Sequence, residues 1–150
     1  MAGIPSLAIF IAMTAGAAVW GSQFKPGPWY AALAKPEWTP PNWLFAPVWT
    51  VLYVMIAVAG WLVWRAEGLR ATLAVWGVQL ALNAAWTWTM FDQHRIGAAL
   101  VNILLLWLAI CAFIFLSWNV SRWPAYLFVP YWIWVSYASA LNFAIWRLSI

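Results

Sequence analysis

The chain has 150 residues, of which 67% are hydrophobic and only 7% are charged. A soluble domain carries about 25% charged residues, so this chain has too few charges to cover a surface in contact with water. The composition therefore excludes a soluble globular domain and predicts an integral membrane protein.

Five apolar runs are long enough to cross a bilayer, because a spanning helix needs about 20 residues. These runs are continuous and lack the alternation of polar and apolar positions that is typical of a transmembrane β-barrel. The prediction is an all-α integral membrane protein, in which a single domain over residues 1–150 forms a bundle of five transmembrane helices. The predicted spans are residues 5–21, 42–65, 70–91, 96–118 and 124–147.

The first two runs are joined by the long segment SQFKPGPWYAALAKPEWTPP. A loop of this length inside a compact protein is either functional or disordered. Its aromatic residues and prolines favour an ordered cover that packs on the bundle, so we expect the segment to act as a lid. The predicted lid residues are Lys25, Tyr30, Lys35 and Trp38.

The second run begins within the stretch PEWTPPNWLFAPVWTVLY. Pro47 lies inside this run, where it leaves the carbonyl of Trp43 without its usual partner and bends the helix. The bend is expected to turn Trp49 toward the interior of the bundle. Phe45 and Tyr53 lie four residues before and after Trp49, so the three side chains share one face. Helix packing and ligand binding both explain such a face.

The third run carries two ladders on nearly opposite faces. Small residues at every fourth position allow another helix to approach closely, so one face is expected to pack tightly: Gly77, Ala81 and Ala85. The other ladder carries groups that form hydrogen bonds: Gln79, Asn83 and Thr87. Because unpaired polar groups are costly in lipid, these residues are expected either to bond across helices or to line a cavity.

The first run has a small-residue ladder of its own, formed by Ala8, Ala12 and Gly16. Either small ladder fits internal packing or dimerisation, and the spacing does not choose between them.

The fifth run repeats the pattern of an aromatic seam with few polar groups. Its stripe comprises Tyr131, Trp134, Ala138 and Leu141, with Asn142 beside it. A pocket lined by aromatic rings with a few placed polar groups suits a flat, largely apolar ligand.

The ionisable side chains lie in loops or at the ends of the runs, Glu37, Glu67, Asp92 and His94 among them. This placement argues against a proton-coupled pump, which needs such groups inside the membrane. One histidine and one cysteine at separate places cannot build a metal site, so neither a metal nor a cofactor is predicted. The basic balance comes from only seven side chains and indicates anchoring of loops rather than nucleic-acid binding.

Three stretches resemble one known family, the tryptophan-rich sensory protein/translocator protein family, also called TspO or peripheral benzodiazepine receptor-like. They are KPEWTPPNWLFAPVWTVLY, LALNAAWTWTMF, and PYWIWVSYASALN followed by IWRL. The resemblance extends over essentially the whole chain. The alanine-rich helices and the sixteen tryptophans look like a bacterial member. The expected location is therefore a bacterial cell membrane, or the mitochondrial outer membrane if the chain is eukaryotic.

The resemblance implies a cavity that is open toward the long loop, and a homodimer. It implies a membrane protein with a sensory role, and possible transport, that binds porphyrins such as protoporphyrin IX or other hydrophobic small molecules. The alternative is an enzyme that degrades porphyrin oxidatively in light, because some bacterial members are described as using two pocket tryptophans in this way. Those tryptophans correspond to Trp49 and Trp134, which are the candidate catalytic residues.

The resemblance also selects the site residues. Asn83 and Trp86 match its polar-aromatic motif on the third run, and Ala138 matches a small residue that tunes ligand affinity. Tyr137 lies too far before Arg147 to complete the cholesterol motif of animal members, which favours porphyrin over cholesterol. The predicted ligand-binding residues are Phe45, Trp49, Tyr53, Asn83, Trp86, Phe91, Trp134, Ala138, Leu141 and Asn142.

Overall fold

The computed structural model describes residues 4–24 and 27–150. Its helices, in chain order, are α1 (Ile4–Ser22), α2 (Pro28–Ala32), α3 (Asn42–Glu67), α4 (Ala71–Thr87), α5 (Ile96–Trp118) and α6 (Arg122–Leu148). α4 continues into a π-helical turn, Trp88–Asp92, in which the amide of Gln93 donates to the carbonyl of Trp88. The two described ranges contain no β-strand, which confirms the all-α fold class.

The five predicted runs correspond to the long helices α1, α3, α4, α5 and α6. Length and apolar composition mark three stretches of the described chain as able to cross a membrane: Pro5–Ser22, Asn42–Glu67 and Ile96–Trp118. α4 has only 17 residues before its π-helical turn, and α6 is rich in tryptophan and tyrosine, which lower its hydropathy. The count of five spans therefore stays a prediction.

The long helices form a closed ring in the order α1, α3, α6, α5, α4, with α1 returning to α4. Large side chains such as Phe113, Phe128 and Tyr131 are fully buried between the helices. Apolar residues such as Val54 and Phe115 are exposed on the outer surface. Helices that are apolar on both their inner and outer faces are typical of a bundle that lies in lipid.

Several tryptophans join helices through their indole N–H groups. Trp76 of α4 donates to the carbonyl of Ile56 on α3 at 2.9 Å. The ring of Trp76 rests against Gly60, where an added Cβ would collide with the indole. Trp107 of α5 donates to the hydroxyl of Ser136 on α6 at 2.7 Å. These residues therefore fix the relative positions of neighbouring helices.

The small-residue ladders do not pack inside the described bundle. Gly77 and Ala81 are exposed, and a Cβ added to Gly77 would meet nothing within 4 Å. Of the two uses left open for this ladder, packing against another helix of the bundle is therefore not seen among the described residues. The opposite face, which carries Gln79 and Asn83, turns inward because its polar groups would be costly in lipid. The α1 ladder is exposed as well, and dimerisation through either ladder stays a prediction.

The described part of the long loop, residues 27–41, lies against one end of the bundle. Lys35 holds it together by donating to the carbonyls of Tyr30 at 2.6 Å and Leu33 at 3.1 Å, at the C-terminus of α2. The ring of Trp29 stacks on His94 at 4.1 Å. The hydroxyl of Tyr137 donates to the carbonyl of Trp38. Lys25 lies outside the described residues, and the action of the loop as a lid stays a prediction.

Candidate ligand-binding site

A cavity of about 580 Å³ lies between α1, α3 and the end of α4, close to the long loop. Five of the predicted ligand-binding residues line it: Phe45, Trp49, Tyr53, Trp86 and Phe91. α3 supplies the first three from one face, as their spacing of four residues requires. α4 and its π-helical turn supply the other two. The cavity thus has aromatic walls on two helices.

Neighbouring rings fix the orientation of Trp49. Its ring centroid lies 5.6 Å from that of Tyr53 and 6.4 Å from that of Trp134. Tyr131 meets Trp49 edge-on at 6.2 Å. Edge-to-face pairs of this kind are favourable beyond the area that they bury, so the wall is held in shape without a ligand.

A chain of hydrogen bonds leads from the cavity wall into the core. The hydroxyl of Tyr53 donates to Oδ1 of Asn83 at 2.9 Å. Nδ2 of Asn83 donates to the hydroxyl of Tyr131 at 2.8 Å, and that hydroxyl donates to Oε1 of Gln79 at 2.9 Å. Thr87, the third member of the polar ladder, lines the cavity instead. The ladder therefore serves both expected purposes, bonding across helices at two positions and lining a cavity at the third.

A second, much smaller void of about 20 Å³ lies on the α6 side of the cavity. Three of the predicted residues line this void and not the cavity: Ala138, Leu141 and Asn142. Phe45, Trp86 and Phe91 line both spaces and so form an aromatic partition between them. The partition is braced because Nε1 of Trp86 donates to Oδ1 of Asn142 at 3.0 Å.

Asn83 and Trp134 line neither space. Asn83 lies within the hydrogen-bond chain of the core. Trp134 packs behind the wall, edge-on to Phe45 at 5.9 Å and to Trp49 at 6.4 Å. Of the two candidate catalytic tryptophans, Trp49 alone therefore reaches the large cavity.

The second half of α1 completes the cavity, and no residue of this helix was among the predicted site residues. The lining residues near its end are Ala18, Val19, Gly21, Ser22 and Phe24. Ala18, Val19 and Gly21 lie in an apolar run without a polar or aromatic periodicity to single them out, and Ser22 and Phe24 follow that run at the start of the long loop. The small residues at positions 18 and 21 are the only local signal.

None of the described residues that line the cavity carries a charge. Among the predicted lid residues, Lys35 is held by backbone carbonyls and also lies 4.7 Å from the centroid of the Tyr30 ring. Burial raises the pKa of the Tyr30 hydroxyl, and the nearby Tyr137 raises it further. The hydroxyl of Tyr30 therefore stays neutral at physiological pH.

The fold and the cavity define an all-helical membrane protein with an apolar outer surface and an aromatic pocket between its helices. The sequence matches the model of the TspO/MBR family over residues 7–147. The chain therefore belongs to the TspO/MBR family, which confirms the predicted resemblance.

Its relatives include both bacterial and animal proteins. Protein CrtK of Rhodobacter capsulatus is 40% identical over 149 residues, which cover 95% of this chain and 91% of that protein. The tryptophan-rich sensory protein of Cereibacter sphaeroides is 38% identical over 140 residues, covering 93% of this chain and 89% of that protein. The human translocator protein is 36% identical over 152 residues, covering 96% of this chain and 89% of that protein.

Proposed function

We propose that this protein is a membrane receptor for a flat, largely apolar ring molecule, a porphyrin such as protoporphyrin IX, held in the cavity between α1, α3 and α4. The observation that carries the proposal is the cavity of about 580 Å³ with Trp49, Tyr53 and Phe45 on one wall. Sites for small molecules have volumes of about 300–1,000 Å³ and are mainly apolar and aromatic. The names of the relatives, sensory protein and translocator protein, suit a protein that binds a small molecule.

The distribution of polar groups suggests how such a ligand is oriented. Stacking of its ring on Trp49 would contribute about 0.5–1.5 kcal/mol beyond the burial of apolar area. The carboxylates of a porphyrin would lie toward the loop, because no described residue of the lining carries a charge to pair with them in the interior. Asn42 lines the cavity at that end, and its side-chain amide is a donor for a carboxylate, whereas the hydroxyl of Ser22 already donates to the carbonyl of Val19.

The test is a titration of the purified protein with protoporphyrin IX in the dark, followed by tryptophan quenching and by the shift of the Soret band. We expect saturable binding, and we expect Trp49→Phe to weaken it about five- to tenfold, because about 1 kcal/mol of ring contact is lost. Trp123→Phe is the matched control, since Trp123 is 68% exposed at the opposite end of the bundle. Equal affinities for the two variants would show that the ligand lies elsewhere, and absence of saturable binding would reject the porphyrin.

A second candidate function is light-dependent oxidation of the bound porphyrin, with dioxygen as the oxidant. The observation that favours it is a row of oxidisable rings that leads away from the cavity. Trp49 lies 6.4 Å from Trp134, and Trp134 lies 5.8 Å from Tyr137. Under light we expect Trp134→Phe to slow bleaching of the Soret band with little change in dark affinity, because Trp134 does not line the cavity. Bleaching no faster than that of free porphyrin in detergent would reject this function.

A third candidate is passage of the ligand across the membrane, as the name of the translocator protein suggests. None of the described residues of the lining carries a charge, so such passage would follow the gradient of the ligand without coupling to ions. Transport would be supported if protoporphyrin IX enters liposomes that hold the protein faster than it enters empty liposomes, and if this difference disappears when the porphyrin gradient is removed. Equal rates of uptake into the two kinds of liposome would reject transport.

A further inference from the structure

The first half of α1 is attached to both α3 and α4, since Phe10 packs on Trp64 and on Trp76, whereas the hydrogen bond near its end goes to α4. In the first half, Trp61 of α3 donates to the hydroxyl of Ser6 at 3.0 Å. Near the end of α1, Trp20 donates to the carbonyl of Ala84 on α4 at 3.3 Å. Gly21 lies close to α4 as well, since a Cβ added there would be 3.7 Å from Oγ1 of Thr87. α1 therefore keeps its contact with α4 as it approaches the loop, while the cavity separates it from α3.

This separation leaves an opening between α1 and α3 beside the cavity, which we call the α1–α3 seam and define by Val19, Ala46 and Thr50. All three line the cavity, and all three are nevertheless exposed, Val19 by 62%. A residue that is both part of the lining and exposed marks the place where a cavity meets the outside. By the same criterion Ser22 and Asn42 mark an opening at the loop end, so the cavity is open along the α1–α3 boundary from there to Thr50.

The depth of the seam places it at the level of lipid chains. Trp43 is 72% exposed at the start of α3, as expected for a tryptophan at the membrane interface. Thr50 lies two turns further along the helix, about 10 Å deeper at 1.5 Å per residue. Val51 and Val54, which follow Thr50 on α3, are apolar and exposed. The seam thus adjoins a surface suited to hydrocarbon rather than to water.

Loop residues 27–41 pack against the α4–α6 side of this end of the bundle; none of them lines the large cavity, and Tyr30 lines the small void. Tyr30 is only 3% exposed and meets Phe91 of the cavity wall edge-on at 5.5 Å. Trp29 stacks on His94, and Tyr137 donates to the carbonyl of Trp38. Residues of α2 and of the following segment are thus each attached to the body of the bundle.

We propose that the cavity receives its ligand from within the bilayer through the α1–α3 seam, while loop residues 27–41 form a fixed cover over the α4–α6 side of the bundle. The ligands that this route selects are apolar or amphiphilic molecules that have already dissolved in the membrane. The identity of the ligand rests on the proposed function. The position of the opening and the residues around it do not depend on that function.

The opening is tested first without a ligand, by nitroxide labels in the protein reconstituted into liposomes. The labels are attached at Thr50→Cys, Val54→Cys and Glu37→Cys in a Cys111→Ala background, and their collisions with dioxygen and with a water-soluble nickel chelate are measured. We expect the label at position 50 to resemble that at 54, with frequent dioxygen and rare nickel collisions. Nickel collisions as frequent as at position 37, or protection from both reagents, would overturn the proposal.

The route is then tested by the rate at which protoporphyrin IX moves from liposome membranes into the protein. Ala46→Phe narrows the α1–α3 seam and should slow association about tenfold, because the helices must first separate. Val54→Phe, outside the cavity, should leave the rate unchanged, as should Tyr137→Phe, which loosens the cover. If Tyr137→Phe speeds association and Ala46→Phe has no effect on it, entry through the α1–α3 seam is overturned. Absence of binding in every protein would reject the porphyrin, and the label measurements would still decide the opening.

Discussion

Tyr53 and Asn83 join the wall of the cavity to the polar core of the bundle, through a hydrogen bond of 2.9 Å from the tyrosine hydroxyl to Oδ1 of the asparagine. Asn83 is 2% exposed and donates in turn to Tyr131. The ring of Tyr53 is therefore held in place on the side away from the cavity. A wall that is ordered before the ligand arrives lowers the entropy cost of binding.

The first prediction concerns the strength of this connection. Tyr53→Phe keeps the ring and the shape of the cavity but leaves Oδ1 of Asn83 without its donor. We expect the free energy of unfolding in lipid bicelles to fall by about 0.6 kcal/mol, the average for hydrogen bonds between membrane helices, and by no more than about 1.7 kcal/mol. Affinity for protoporphyrin IX should fall less than in Trp49→Phe, because the ring surface is retained.

Tyr126→Phe is the matched control for this measurement. Tyr126 lies on α6 with 47% of its surface exposed, so removal of its hydroxyl should not change stability. A stability of Tyr53→Phe equal to that of Tyr126→Phe would show that the buried chain of hydrogen bonds does not stabilise the bundle.

The positions of the long helices followed from the sequence, whereas two short elements did not. The predicted run 96–118 coincides with α5, because an uninterrupted apolar run has only one way to satisfy its backbone in lipid. α2 was missed although Pro28 follows Gly27, a recognised start for a helix. The π-helical turn Trp88–Asp92 has no periodic signature, because five residues are too few to show one.

The site was predictable where a single helix presents it and not where two helices meet. Phe45, Trp49 and Tyr53 were found because their spacing places them on one face of α3. The α1 lining depends on the contact of that helix with α4, which the hydrogen bond from Trp20 to Ala84 makes across 64 positions of sequence. A contact between such distant residues leaves no pattern in either segment.

The second prediction concerns the joint between α3 and α4. Gly60→Ala would drive a methyl group into the indole of Trp76, whose N–H is fixed on the carbonyl of Ile56. We expect a loss of about 1–3 kcal/mol of stability, typical of overpacking in a core. Gly16→Ala is the control, with both variants measured as monomers, because no described residue lies within 4 Å of its added Cβ. It should be neutral or stabilising by up to about 1 kcal/mol. Similar melting temperatures for the two variants would contradict this packing.

The third prediction concerns Tyr30 and pH. Its hydroxyl is buried, and among the described residues it has no hydrogen-bond partner. Burial, with a smaller contribution from Tyr137, raises its pKa above that of an unfolded tyrosine. The folded state therefore favours the neutral hydroxyl, so stability should be constant below about pH 10 and fall as pH rises further. Tyr30→Phe should preserve stability at pH 7 and reduce the alkaline loss, measured as melting temperature against pH. If the melting temperature of Tyr30→Phe falls with alkaline pH as steeply as that of Tyr126→Phe, the ionisation of Tyr30 does not cause the alkaline loss of stability.

The fourth prediction concerns self-association. The ladders of α1 and α4 are exposed, and small residues at every fourth position let two helices approach closely in lipid. We propose that one of them forms the contact of a homodimer. Gly16→Leu and Gly77→Leu each add a branched side chain to one ladder, where the chain itself offers no clash within 4 Å of the new Cβ. Fluorescence energy transfer between labelled copies in liposomes should fall in one variant and not in the other, which identifies the helix at the interface.

Val54→Leu, on the exposed face of α3, provides the reference. Unchanged transfer in both ladder variants would exclude these surfaces, because a leucine at either glycine prevents the close approach of backbones that such a contact requires.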